Sequence, residues 1–312
     1  MDLSKKSSQV RLACVHCRIT QRTGRPQLPV SFGAKLQSAF ENQGQLCIGI
    51  DPHPELLEAW GLDDDVSGLE YFSQSLLEQC VGRVGIIKPQ VAFFERFGAK
   101  GFAVLENICS KATDSKLLVI LDAKRGDIDS TMRAYFDAWL GQAAPFHSDA
   151  LTVSPFLGFE SLMPTLSACM ERGKGIFALT ATSNSGSSHI QKASIFGVSV
   201  ARSIWDQLEV NNAVTAGPNS SLGSFGAVIG ATLNLQSFGL GDVFSGTSGI
   251  TTPILAPGFG AQGAKLSETR SIFGGASNRV VHTVSRSVCD SGKLAVASNI
   301  ESAKSELLLG LG

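Results

Sequence analysis

The sequence predicts an α/β protein built as a single (β/α)8 barrel, and three observations carry that reading. Eight short apolar runs recur along the chain, each ending at a polar residue or a turn, most of them followed by an amphipathic stretch. Charged or glycine-rich residues gather directly after several of these runs, at the strand ends where α/β folds keep their chemistry. The first run leads into Asp51-Pro52-His53-Pro54, not the G-x-G-x-x-G that a dinucleotide-binding, doubly wound sheet would need there. Eight βα units close on themselves and leave no edge strand, so the barrel is the economical arrangement.

Residues 1–30 stand apart. They hold Lys5, Lys6, Arg11, Arg18, Arg22 and Arg25 against a single acid, Asp2, and show no helical or strand period. Without an apolar h-region we do not expect a secretory signal there. We read them as a disordered, dispensable extension rather than a transit peptide, and residues 31–312 as the barrel domain. Phe32 to Phe40 has helical period. The strand candidates follow as Leu46–Asp51, Val84–Lys88, Leu117–Asp122, Ala150–Ser154, Gly175–Thr180, Gly226–Thr232, Pro253–Pro257 and Arg279–Ser285. Gln236 to Thr252, rich in Gly, Ser and Thr, is a loop insertion between strands six and seven or a mobile lid, and the sequence leaves both open.

Composition narrows the partners. Of 312 residues 43% are hydrophobic, and 26 Lys plus Arg against 27 Asp plus Glu give a net charge of −1. That balance offers no electrostatic footprint for nucleic acid or an anionic membrane. No apolar run approaches the ~20 residues that span a bilayer. The seven cysteines (14, 17, 47, 80, 109, 169, 289) are odd in number and scattered, several within apolar runs, as expected of reduced thiols in a cytoplasmic protein. Cys14-Val15-His16-Cys17 is a lone C-x-x-C, whereas a structural zinc site needs four ligands. We expect no metal site.

The chain is organised around Val119-Ile120-Leu121-Asp122-Ala123-Lys124-Arg125-Gly126-Asp127. A buried strand breaks into charge, and Asp122 and Lys124, two apart, point to the same side. Such a spacing alone is an ordinary solvated turn; its place at a strand's carboxyl end favours function. In a barrel the other strand ends converge on the same face: Asp51 after strand one, Lys88 after two, Thr182-Ser183-Asn184 after five, Pro257-Gly258-Phe259-Gly260-Ala261-Gln262-Gly263 after seven, and Arg286 after eight. Glycine-rich turns after strands seven and eight are where such barrels bind phosphate, and an arginine adds a charged clamp. Lysines alternating with Asp51 and Asp122 stay protonated, the opposite of a Schiff-base lysine, so they suit proton donation rather than aldol chemistry. No G-x-S-x-G is present, and the histidines have no metal-ligand spacing; His282 reads as a core residue of strand eight.

Asp122-Ala123-Lys124-Arg125-Gly126-Asp127-Ile128, together with Asp51-Pro52-His53-Pro54, Lys88-Pro89-Gln90, Thr182-Ser183-Asn184 and the strand-seven turn, resembles the orotidine 5′-phosphate decarboxylases. The wording is closest to their longer, actinobacterial-type bacterial branch, and the resemblance runs from residue 31 to the C-terminus. It implies cofactor-free conversion of orotidine 5′-monophosphate to uridine 5′-monophosphate. By this resemblance Asp51 and Lys88 bind the ribose hydroxyls, Asp122 lies against the substrate carboxylate, and Lys124 protonates C6. Ser183 contacts the pyrimidine edge, Gln262 and Arg286 the phosphate, and Pro257 belongs with the substrate-binding residues. Asp127, Ile128 and Thr131 reach into the partner subunit's site, so a homodimer with shared active sites is implied. The alternatives are a metal-dependent sugar-phosphate lyase or decarboxylase of the same suprafamily, which would carry a metal-binding acid where Lys88 stands, and a barrel that only binds a phosphorylated ligand.

Overall fold

The computed structural model describes residues 29–215, 220–244 and 251–312. Its strands are β1 (Leu46–Ile50), β2 (Ile86–Pro89), β3 (Leu118–Arg125), β4 (Ala150–Val153), β5 (Gly175–Ala181), β6 (Phe225–Ile229), β7 (Ile254–Ala256) and β8 (Val280–Val284). Each pairs in parallel with its sequence neighbours, and β1 pairs with β8, so the sheet closes. Every one of the eight predicted runs is a barrel strand. The extension expected over residues 1–30 falls mainly on 1–28, outside the described residues, as do Cys14 and Cys17.

Alternation along the strands builds two apolar layers. Cys47, Ile86, Ile120, Ala150, Phe177, Val228, Leu255 and Val281 face inward and form one cluster with Phe32 and Leu36. The last two belong to α1 (Phe32–Gln43), whose first turn is capped by Ser31 accepting from the Ala34 N–H. The Phe32 ring meets Phe177 edge-on at 5.9 Å, so α1 packs against the barrel interior. Their neighbours, such as Ile48, Ile87, Val119 and Leu151, face outward into a second layer under the helices. There α2 (Val66–Cys80) buries Leu69, Phe72, Leu76 and Leu77, and α3 (Gly98–Asp114) buries Val104, Leu105 and Ile108.

Three local features go beyond the sequence reading. β3 runs on to Arg125, past the apolar run, with a pairing irregularity between Leu121 and Arg125 and with Lys124 at φ 49°. Between β5 and the helix Val200–Thr215, a short helix (Ser187–Gln191) is followed by a hairpin of Ser194–Ile195 and Val198–Ser199. The described part of the 236–252 segment is packed: Leu240 and Phe244 are buried, and Phe244 meets Trp205 at 5.6 Å and Phe273 at 6.0 Å. The lid alternative concerns 245–250 as well, which lie outside the described residues. His282 is buried in β8 beside Thr269, as expected, and burial holds its pKa down at about 3. The five described cysteines are unpaired and buried, and that burial pushes the Cys47 and Cys289 thiols up to about 12.

Candidate active site

The carboxyl ends of the strands open into a cavity of ≈ 300 Å³. Asp51, Lys88, Asp122, Lys124, Ser183, Pro257, Gln262 and Arg286 all line it. Residues up to 235 apart in sequence therefore meet as the barrel requires, Asp51 against Arg286 being the widest pair. The structure does not bring Asp127, Ile128 or Thr131 into this cavity. They lie just before and in the first turn of α4 (Asp129–Leu140), Ile128 52% exposed and Asp127 with its carboxylate accepting from the Ile128 N–H at 2.8 Å.

Asp122 is the centre of the network. Lys124 Nζ donates to its Oδ1 at 2.6 Å and Thr152 Oγ1 to the same oxygen at 2.9 Å. Lys88 Nζ donates to Oδ2 at 3.2 Å and lies 3.6 Å from Asp51 Oδ1. Amide oxygen and nitrogen are assigned from their partners. The assignment that matches donor to acceptor has Gln90 Nε2 donating to Asp122 Oδ2 at 2.6 Å and Oε1 accepting from Lys124 Nζ at 3.2 Å. Gln90 carried no role in the sequence reading beyond its place in Lys88-Pro89-Gln90, and Thr152 carried none. A threonine breaking the apolar β4 run and a glutamine directly after Lys88-Pro89 were the available signals.

The electrostatics follow from this geometry. Burial works to raise the Asp122 pKa, but the Lys88 and Lys124 charges outweigh it and hold the group at about 2. Burial likewise works to lower the Lys88 pKa, and the Asp51 and Asp122 charges push it up instead. Asp122 is thus a carboxylate and Lys88 an ammonium at neutral pH. Lys124 is the more exposed ammonium, its side chain 47% accessible beside the cavity. Its left-handed backbone is held by its N–H donating to Thr152 Oγ1 at 2.9 Å, a local strain of the kind found at functional sites.

Close backbone approach shapes the rest of the mouth. A Cβ on Gly49 would stand 3.0 Å from both Asp51 Oδ2 and Ser285 Cβ, so glycine there leaves Asp51 its place. The strand-seven turn takes φ of 115° at Gly258 and 72° at Gly260, conformations that suit glycine. Asp51 Oδ1 and Ser285 Oγ are buried without a hydrogen-bond partner among the described residues, the sort of polar atom a ligand satisfies. Gln262 and Arg286 also border a second cavity of ≈ 690 Å³ with His53, Phe93 and Asp290, so they stand at the open side of the site. Lys124 therefore places positive charge at the inner wall of the cavity and Arg286 at its open side, beside the glycine turn.

Known proteins share this architecture and sequence. The family described as Orotidine 5′-phosphate decarboxylase / HUMPS matches residues 44–299. The chain is 48% identical over 262 residues to the orotidine 5′-phosphate decarboxylase of Streptomyces coelicolor, covering 84% of this chain and 90% of that one. It is 43% identical over 264 residues to that of Corynebacterium glutamicum, covering 84% and 92%. Among solved structures, a candidate orotidine 5′-phosphate decarboxylase from Streptomyces avermitilis superposes with a TM-score of 0.84 at 44% identity, covering 92% of this chain and 98% of that one. The Leishmania donovani OMP decarboxylase gives 0.69 at 25%, covering 91% and 100%. With the barrel, the clustered lysines and aspartates and these relatives in agreement, the chain belongs to the orotidine 5′-phosphate decarboxylase / HUMPS family.

Proposed function

We propose that this barrel decarboxylates orotidine 5′-monophosphate to uridine 5′-monophosphate, without metal or cofactor, using Lys124 as the proton donor to C6. The observation that carries the reading is the Lys124 ammonium held 2.6 Å from a carboxylate that is itself fixed by three further donors. The C6–carboxylate bond breaks with its electron pair staying on C6. Carbon dioxide leaves, an N–H of Lys124 supplies the proton, and the resulting amine is reprotonated from solvent. C6 has no carbonyl placed to delocalise the charge. A preorganised ammonium beside it therefore supplies the stabilisation where the charge develops. The substrate carboxylate would sit near Asp122, an unfavourable approach that ends when neutral carbon dioxide departs. Arg286, Gln262 and the backbone N–H groups of the glycine turn would hold the phosphate. Binding energy from that remote group can be realised in the transition state. Asp51 and Lys88 would take the ribose hydroxyls, Ser183 the pyrimidine edge, and Pro257 the wall beside it.

The active unit in this reading is a homodimer. Ile128 at 52%, Phe156 at 73% and Leu157 at 54% exposure give the cavity side of the barrel apolar surface suited to a second copy. Asp127, Ile128 and Thr131 would complete the partner's pocket. Buried, unpaired thiols suit a reducing compartment, the cytoplasm, and no helix among the described residues is long and apolar enough to cross a membrane. Against the metal-dependent lyase reading stands Lys88. A buried ammonium occupies the position that a metal-binding acid would need, and it would repel a cation. Purified protein in EDTA should convert orotidine 5′-monophosphate, followed by ultraviolet absorbance. Activity lost on chelation and restored by magnesium would overturn the assignment.

A further inference from the structure

We propose that Gln90 is a positioning residue for proton transfer, a neutral clamp that fixes the Asp122 carboxylate and steers the Lys124 ammonium. The inference rests on the decarboxylase reading and extends it to a residue outside the charged chain. Gln90 follows the buried Lys88–Pro89 strand end, and its N–H donates to the Ile50 carbonyl at 3.0 Å. It also bridges in parallel to Asp122 itself, so its backbone is tied to the strands on both sides. From that anchor the amide reaches Asp122 Oδ2 at 2.6 Å and Lys124 Nζ at 3.2 Å.

The need for such a group follows from what changes during turnover. Two of the donors on Asp122 are ammoniums, Lys88 and Lys124, and two are neutral, Gln90 and Thr152. As Lys124 gives its proton to C6 it becomes an amine and its grip on Asp122 weakens. The neutral donors keep their hydrogen bonds throughout, so the carboxylate stays where the substrate meets it. The Gln90 carbonyl binds one Lys124 N–H and Asp122 a second, which leaves the third free to face the cavity. The charged groups around the amide are Lys88 on β2, Asp122 and Lys124 on β3, and Asp51 after β1, with Thr152 on β4.

The test compares wild type, Gln90→Ala and Gln90→Glu in decarboxylation of orotidine 5′-monophosphate across the working pH range. Gln90→Ala should lower kcat by about ten- to a hundredfold, the range for losing a hydrogen bond to a charged group. KM should stay within about twofold, because the contact acts on the reacting end rather than on uniform binding. Gln90→Glu keeps the shape. Protonated, its carboxylic acid donates to Asp122 as the amide did; ionised, it sets a second carboxylate against the first. Its kcat relative to wild type should therefore be highest at low pH and fall as pH rises. Wild-type kcat in Gln90→Ala, or a Gln90→Glu ratio that does not move with pH, would overturn the proposal; the glutamate variant decides it even where the alanine variant does not fold. Absence of turnover in wild type would instead reject the function itself.

Discussion

Lys88→Met removes the buried ammonium while keeping much of its bulk. Lys88 is only 5% exposed and bridges Asp122 at 3.2 Å and Asp51 at 3.6 Å. Breaking a buried pair from one side costs about 3–5 kcal/mol, since the orphaned charge stays behind. Lys124 still faces Asp122, so the lower figure applies, and at about 2 °C per kcal/mol for a chain of this size Tm should fall by roughly 6 °C. The pH dependence gives the sharper check. In wild type the Asp122 pKa is lowered to about 2, against about 3.9 in an unfolded chain. Its stabilisation, on the order of 2–3 kcal/mol, is therefore present above about pH 4 and lost as pH falls toward 2. Without Lys88 the depression shrinks or reverses, so the variant loses less on acidification. Thermal unfolding at about pH 7 and about pH 3.5 should show the gap between the two proteins narrowing at the lower pH. An equal gap at both, or a loss below about 1 kcal/mol at neutral pH, would refute the view that Lys88 and Asp122 stabilise one another.

Two further outcomes follow from the outer parts of the site. Arg286→Ala should weaken both binding and turnover of orotidine 5′-monophosphate while leaving phosphate-free orotidine nearly indifferent; equal losses on both would make Arg286 structural. Lys124→Ala and Asp127→Ala homodimers should each be nearly inactive, and mixing them should restore about a quarter of wild-type activity. Random exchange makes about half the dimers mixed, each with one intact pocket; no recovery after confirmed exchange would place Asp127 in its own chain's site.

The fold was legible because inward and outward faces of every strand are apolar. Runs such as Leu46–Ile50 and Ile254–Ala256 could then be found without alternation, and turn residues marked where each one ended. The charged half of the site was legible for the same reason: Asp51, Lys88 and Asp122 interrupt apolar runs, and burying them unpaired would be costly. The left-handed turn at Lys124 was hidden, because it depends on Thr152 from the next strand accepting its N–H. The role of Gln90 was hidden too: a glutamine after a strand is ordinary until Asp122 is seen beside it. The hairpin at 194–199 has two-residue strands with an exposed Phe196 at its turn, too short to leave a period in the sequence. Phe244 turned out packed because three aromatic rings from distant segments meet there, which composition alone does not reveal.

The central claim is that an ammonium at position 124 delivers the proton to C6. Lys124→Cys removes it, and alkylation with 2-bromoethylamine rebuilds an ammonium of nearly the same reach on the cysteine sulfur. The five described cysteines are buried, and wild type treated identically controls for the rest. Turnover of orotidine 5′-monophosphate should be nearly abolished in Lys124→Cys and should recover by orders of magnitude after aminoethylation, with treated wild type unchanged. Near-wild-type turnover by the unmodified cysteine variant, or an aminoethylated protein that binds uridine 5′-monophosphate yet does not turn over, would contradict the account.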